Sequence, residues 1–179
     1  MVKRGILVAG LLTAIFISVL GVGAPAWSAF RIEPGADIQA DSETVQAIEN
    51  TFKRAESAIA EENLDALMQM YSESYRYKDL IKADIRKIWQ DFFERFDRVD
   101  TLHAFSRIVV KPGNPSTAQI TCTGAIWGTS DQTNKRMDLA SWMGDIHDLI
   151  FEDGVWKILG QGRNAPNRTE FGQAPPPLF

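Results

Sequence analysis

Apolar side chains recur every three or four positions along three segments of the first half of the chain, which is the spacing of amphipathic helices. The first segment begins at Asp41 or Ser42, either of which can cap a helix, and a shorter one follows Asn63. The third is expected from about Lys82 to Arg98. The predicted buried stripes are Val45, Ile48, Phe52, Ala55 and Ile59, then Leu64, Leu67, Met68 and Tyr71, then Ile85, Ile88, Trp89, Phe92, Phe96 and Val99.

Beyond Asp100 the apolar period changes to two, which predicts strands. The predicted strands span residues 102–111, 117–129, 136–152 and 155–160, and residues 72–79 form a short extended piece. Asp153-Gly154 between the last two strands is a strong signal for a two-residue hairpin. Helices followed by an antiparallel meander predict an α+β fold, with three N-terminal helices on one face of a sheet of about four strands plus a short one.

Residues 1–29 have the layout of a secretory signal peptide. They hold Lys3 and Arg4, no acidic side chain, and an uncharged apolar run that ends in the small-residue site Ala24-Pro25-Ala26. We therefore expect a periplasmic or secreted protein. The alternative is an uncleaved membrane anchor, because the apolar run from Ile6 to Val22 is slightly long for a signal-peptide core, while it is short for a relaxed span of about 20 residues.

The rest of the chain divides by composition into three parts. Residues 30–41 carry Pro34 and Gly35 without periodicity and are interpreted as a lead-in arm. Residues 42–162 form the predicted domain, and residues 163–179 a Pro-rich flexible tail. Loss of residues 1–29 removes two cations and no acidic group, so the net charge goes from −4 to −6.

Composition narrows the possible chemistry. An acidic chain is not typical of a nucleic-acid-binding protein, which presents a basic patch. One Cys and 2 His exclude a disulfide scaffold and a Cys/His metal cluster. There is no Gly-rich phosphate loop and no nucleophile elbow, so we expect neither a metal nor a cofactor.

The Asp153-Gly154 turn sets the register of the last hairpin, and the register assigns side chains to faces. It pairs Phe151 with Trp156, Leu149 with Ile158 and His147 with Gly160. The first two pairs consist of bulky apolar residues, which must face the helices. Alternation along the strand then places Met143, Asp145 and His147 on the same inner face. Burying an acid and an imidazole two positions apart costs free energy of folding unless the two groups pair with each other or take part in binding or catalysis.

Asp145 and His147 are therefore predicted catalytic residues, with Met143 and Trp156 as ligand contacts. Two alternatives stay open: the acid and the imidazole satisfy each other by hydrogen bonding, or a β-bulge turns part of the strand outward. His103, near the start of the first long strand, is expected to be a rim or surface residue. The opposite sheet face is rich in apolar residues, namely Ala140, Trp142, Ile146, Ile150, Val155 and Leu159.

Three features together resemble the nuclear transport factor 2-like superfamily, and within it the SnoaL-like and ketosteroid isomerase-like branches. They are the helix start Asn63-Leu64-Asp65-Ala66-Leu67, its ending at Tyr71, and the closing hairpin at residues 153–158. The resemblance covers roughly residues 43–161. It implies a strongly curved sheet wrapped around the helices as a cone with a pocket at its open end. It also implies a homodimer through the outer sheet face, with coverage by the arm or the tail as the alternative.

Asp79 lies eight residues after Tyr71, where ketosteroid isomerase-like members carry their proton-transferring Asp. The resemblance thus implies a catalytic Asp79, with Tyr75 and Tyr77 on the same strand face as ligand contacts. Helix one departs from that branch because it lacks the oxyanion-donor Tyr near Ala55, so steroid isomerisation is not supported. Asp79 could equally cap the third helix.

Two functions stay open. One is an exported domain that binds a small, partly hydrophobic organic molecule in its cone, with general acid/base chemistry of an isomerase or dehydratase type as a further step. The other is a non-enzymatic homodimeric interaction module with a filled pocket. The sequence does not decide whether the protein is an enzyme.

Overall fold

The residues that the structure describes form a single seven-stranded sheet and three helices. The computed structural model describes residues 29–130 and 132–160. The strands are β1 (Ala29–Gln39), β2 (Tyr71–Tyr77), β3 (Leu80–Ile81), β4 (Phe96–Lys111), β5 (Thr117–Ser130), β6 (Arg136–Glu152) and β7 (Val155–Gly160). They are ordered β1-β4-β5-β6-β7-β2-β3. The β1–β4 and β2–β7 pairs are parallel and the others antiparallel.

The helices are α1 (Ser42–Ala60), α2 (Leu64–Met68) and α3 (Lys82–Arg95). Two predicted caps are confirmed. The Asp41 carboxylate accepts a hydrogen bond from the amide of Thr44 at 2.8 Å, and the Asn63 side chain accepts one from the amide of Ala66 at 3.0 Å. Each cap satisfies an amide that has no partner within its helix.

The predicted α+β class is confirmed: a curved, unclosed and mostly antiparallel sheet packs against three helices. The core between them contains large side chains from both layers that are fully buried, among them Phe52, Tyr71, Trp89, Phe105 and Ile120. None of the helices within residues 29–130 and 132–160 is both long and apolar enough to cross a bilayer.

Several elements differ from the expectation: β1 and β3 add two strands to the five predicted, and β4 begins at Phe96 rather than at residue 102. The segment expected to be a lead-in arm is the edge strand β1, which pairs with β4 on both sides of a register shift at Pro34 and Gly35. The shift explains why no alternation is visible in the sequence. Helix α3 ends at Arg95, because Phe96 is already extended and pairs with Ser130 across β4 and β5.

The predicted signal peptide, except its last residue, and the predicted Pro-rich tail lie outside the described residues.

Candidate functional site

The register of the β6–β7 hairpin is confirmed close to the turn and changes further from it. Phe151 pairs with Trp156 and Leu149 with Ile158, as predicted. The register then shifts, so Gly160 pairs with Asp148 rather than with His147. His147 nevertheless stays on the inner face, with 2% of its surface exposed.

A β-bulge in β6 changes which side chains enter the cone. Cys122 pairs with Asp145 and Gly124 with Trp142, so two residues of β6, Met143 and Gly144, oppose one residue of β5. Gly144 adopts a φ of 67°, in the left-handed region that glycine favours. The bulge that the sequence left open as an alternative is therefore present.

Three face assignments were wrong because of this bulge. Ala140, expected on the outer face, pairs with the buried Ile126 and packs against the core. Met143, expected inside as a ligand contact, is 78% exposed. Trp142, expected on the outer face, is only 8% exposed and lies inside. Its indole N–H donates to the Cys122 sulfur at 3.4 Å, and its ring centroid lies 6.2 Å from that of His147. The indole thus packs beside His147 on the inner face.

His103 is buried rather than at the rim. It is 0% exposed, and its Nδ1 lies 3.3 Å from a carboxylate oxygen of Glu56 on α1, itself 8% exposed. The ring also contacts Phe52 and Trp142, with centroid separations of 5.5 Å in each case. A carboxylate beside an imidazole nitrogen can fix the orientation and tautomer of the ring. This second acid–imidazole pair was missed by the sequence analysis.

Tyr75 and Tyr77 of β2 are buried, as their alternation predicted. Burial and, to a smaller extent, the nearby Asp145 carboxylate raise the pKa of Tyr77 to about 12. Burial likewise raises the pKa of Tyr75, with added effects of Tyr71 and Tyr77. Both phenols therefore keep their protons at neutral pH and can act as hydrogen-bond donors.

Asp79 does not join this group. It is exposed in the turn between β2 and β3, where Lys78 adopts a φ of 52° and interrupts the alternation. The prediction that Asp79 shares a buried face with Tyr75 and Tyr77 is wrong. Nor does Asp79 cap α3. The N-cap position of that helix is Ile81, whose amide donates a hydrogen bond to the Asp84 carboxylate at 2.9 Å.

The inner face of the sheet and helix α1 bring several polar side chains together, and we call this group the inner cluster. It consists of Glu56, Tyr75, Tyr77, His103, Asp145 and His147. Trp142 and Phe52 supply aromatic surface between them. Carboxylates, imidazoles and protonated phenols in an aromatic setting can hold a partly hydrophobic molecule and move protons on it.

A cavity of about 510 Å³ lies elsewhere, between α1 and the β6–β7 hairpin. Trp156, predicted to contact a ligand in the cone, lines this cavity, whereas Asp145 and His147 do not. In the part of the chain that the structure describes, no three His, Cys, Asp or Glu side chains lie close enough to hold a metal ion.

The outer sheet face is less apolar than predicted, since Trp142 is not part of it. Ile146 and Ile150 remain there and are partly buried. Pairing of two copies through this face stays a prediction.

The curved, unclosed sheet packed on three helices is consistent with the expected nuclear transport factor 2-like cone, and solved structures share this fold with the described residues. One is a conserved protein from Planctomyces limnophilus DSM 3776, with 13% identity, coverage of 66% of this chain and 93% of that one, and a TM-score of 0.58. A protein from Novosphingobium aromaticivorans, provisionally assigned as an aromatic ring hydroxylase, has 15% identity, coverage of 68% and 87%, and a TM-score of 0.52.

A second protein from Novosphingobium aromaticivorans DSM 12444, provisionally assigned as a scytalone dehydratase, has 13% identity, coverage of 65% and 80%, and a TM-score of 0.50. At these identities the likeness establishes the fold alone. No protein-family model matches the chain, and no curated protein matches it.

Proposed function

We propose that the cone binds a small, partly hydrophobic carbonyl compound and moves a proton at the carbon next to the carbonyl. The observation that supports this proposal is the inner cluster, in which two imidazoles, two phenols and the Glu56 carboxylate are buried near aromatic rings and the Asp145 carboxylate is partly buried. Such groups are costly to bury, which favours a working role over a purely structural one. Provisional assignment of one neighbour as a scytalone dehydratase is compatible with acid/base chemistry in this fold.

The proposed base is Asp145. Its carboxylate takes the proton from carbon, the C–H electron pair forms a C=C bond, and the carbonyl π pair moves onto oxygen to give an enolate. Tyr77, whose pKa is raised to about 12, keeps its proton and donates a hydrogen bond to that oxygen. If the substrate has a C=C bond between its β and γ carbons, the dienolate takes the proton back at the γ carbon. The C=O bond then re-forms and the C=C bond moves into conjugation with it, which completes an isomerisation.

His147 is the proposed general acid for a dehydration. If the substrate carries a hydroxyl on the carbon beyond the enolate, protonated His147 delivers a proton to it, the C–O bond breaks and water leaves. The electron pair of the enolate then forms the new C=C bond, so the net reaction is a dehydration.

Glu56 and His103 are proposed as the second acid–imidazole pair of the site. The 3.3 Å contact lets the Glu56 carboxylate orient the imidazole, and Trp142 packs against that ring from the side of β6. Asp79 and Met143 take no part in the proposed site because both are exposed.

The test is hydrogen–deuterium exchange of 2-tetralone in D2O, followed by proton NMR with the full chain. We expect faster exchange next to the carbonyl than in buffer, and a loss of about a hundredfold or more for Asp145→Asn. Asp79→Asn, which removes an exposed carboxylate, is the matched control and should exchange like wild type. Equal rates for wild type, Asp145→Asn and His147→Gln would rule out this assignment.

We also propose export to the periplasm or the exterior. The cationic start, apolar run and small-residue site of residues 1–29 support it.

A further inference from the structure

The cavity between α1 and the β6–β7 hairpin is separate from the inner cluster. Its volume is about 510 Å³, and its walls include Ala47, Lys53 and Arg54 from α1 and Phe151, Val155 and Trp156 from the hairpin. Arg54 and Glu56 point about 200° apart around α1, because each residue turns a helix by about 100°. Since Glu56 faces the cone, Arg54 faces away from it.

The floor of this cavity is apolar and fixed in place. The Thr51 hydroxyl donates to the backbone carbonyl of Trp156 at 2.9 Å in a buried hydrogen bond, which ties the hairpin to α1. Trp156 is 4% exposed, and its ring centroid lies 5.4 Å from that of Phe151. Phe151 is 40% exposed, so it offers an aromatic surface to a ligand without rearrangement.

The rim of the cavity is cationic. Lys53 and Arg54 are both exposed there. The Lys53 ammonium lies 2.9 Å from the Glu49 carboxylate. Within the described residues, the Arg54 guanidinium donates to two uncharged oxygens, the Asn50 carbonyl at 3.3 Å and the Thr51 hydroxyl at 3.4 Å.

Nearby acidic groups are engaged by other partners. The Asp153 carboxylate, next to the turn, lies 2.7 Å from the Lys157 ammonium. The Glu61 carboxylate accepts a hydrogen bond from the Ser57 hydroxyl at 2.8 Å. A guanidinium that no described carboxylate neutralises thus stands beside an aromatic floor, on a chain whose net charge is −4.

We propose that this cavity binds a small carboxylate with an aromatic or branched apolar body. The Arg54 guanidinium presents a planar fork of N–H donors that matches the two oxygens of a carboxylate. The apolar body of the ligand lies against Phe151 and Val155 and removes their exposed surface from water. Charge and apolar contact together select an amphipathic anion over a neutral ring.

The test is a titration of the full chain with 2-naphthoate, followed by amide signals in two-dimensional NMR. We expect saturable shifts in residues 151–156 and along the Arg54 face of α1. Arg54→Met should weaken binding about tenfold, as expected for loss of a charged hydrogen bond. Arg86→Met removes the same charge from α3, away from the cavity, and should leave the affinity unchanged.

Two further comparisons separate charge from shape. Neutral 2-naphthamide should bind about tenfold more weakly than 2-naphthoate. Ala47→Phe fills the cavity and should abolish binding, whereas Ala83→Phe, at an exposed position of α3, should not.

The proposal fails if 2-naphthoate produces no saturable shift, if 2-naphthamide binds equally well, or if the shifts occur around Asp145 and His147 instead. None of these results depends on proton transfer in the cone, so this site and the proposed function can fail separately.

Discussion

At the scale of single residues, burial holds protons on groups inside the molecule that would otherwise lose them in alkali. Burial raises the pKa of the Cys122 thiol to about 12, against 9.0 for an unperturbed thiol, and Asp145 adds to the effect. The same causes raise the pKa of Tyr77 to about 12. The folded state therefore resists the loss of these protons more than the unfolded state does.

The first prediction concerns stability in alkali. The contribution of Cys122 is fully present below pH 9.0, the pKa of the unfolded thiol, and is lost as the pH rises toward about 12. Between these values it should lower the free energy of unfolding by up to about 1.4 kcal/mol per pH unit. Urea unfolding at pH 8, 9 and 10 measures this slope.

Cys122→Ala should lose less stability between pH 9 and pH 10 than wild type, even though its stability at pH 8 is lower because of the cavity it leaves. Parallel slopes for the two proteins would mean that the buried thiol is not the cause.

At the scale of elements, the bulge in β6 decides which residues of that strand enter the cone. Gly144 takes the positive φ, its amide donates to the Thr123 hydroxyl at 3.1 Å, and Trp142 lies inside as a result. An added Cβ at Gly144 would meet no atom within 4 Å, so the cost of a side chain there comes from backbone conformation alone.

The second prediction follows from that conformation. Gly144→Val should destabilise the fold by about 1–2 kcal/mol, because a β-branched residue fits the left-handed region poorly. Gly144→Asn should cost less, since Asn adopts that region more readily. Met143→Val, at the exposed neighbouring position, is the control and should stay within about 0.5 kcal/mol of wild type. Thermal unfolding of the three variants provides the measurement, and equal losses for Val and Asn would contradict the backbone argument.

Local signals in the sequence predict the elements well. Asp41 and Asn63 cap helices as expected, and Asp153-Gly154 places Phe151 opposite Trp156. What local patterns miss are the register shifts, at Pro34 and Gly35 in β1 and at Gly144 in β6, because a shift depends on the partner strand.

At the scale of the whole molecule, the site depends on contacts between distant segments. Asp145, His147, Tyr75 and Tyr77 could be assigned to the interior by alternation along one strand each. The contact of Glu56 with His103 requires α1 to pack on β4, 47 residues away, which no local pattern contains. A signal existed nonetheless, since Glu56 follows Phe52 by one helical turn and His103 lies two positions before the buried Phe105.

We propose above that the interior of the cone binds small, partly hydrophobic molecules. The chain contains only 2 His, both in the inner cluster, so their imidazole signals report on that interior directly. The measurement is a titration with 2-naphthol, a stable mimic of the enol of 2-tetralone, followed by NMR of the imidazole Cε1–H signals. If 2-naphthol binds in the cone, both imidazole signals should shift along one saturable curve. Unchanged imidazole signals up to the solubility limit of 2-naphthol would contradict it.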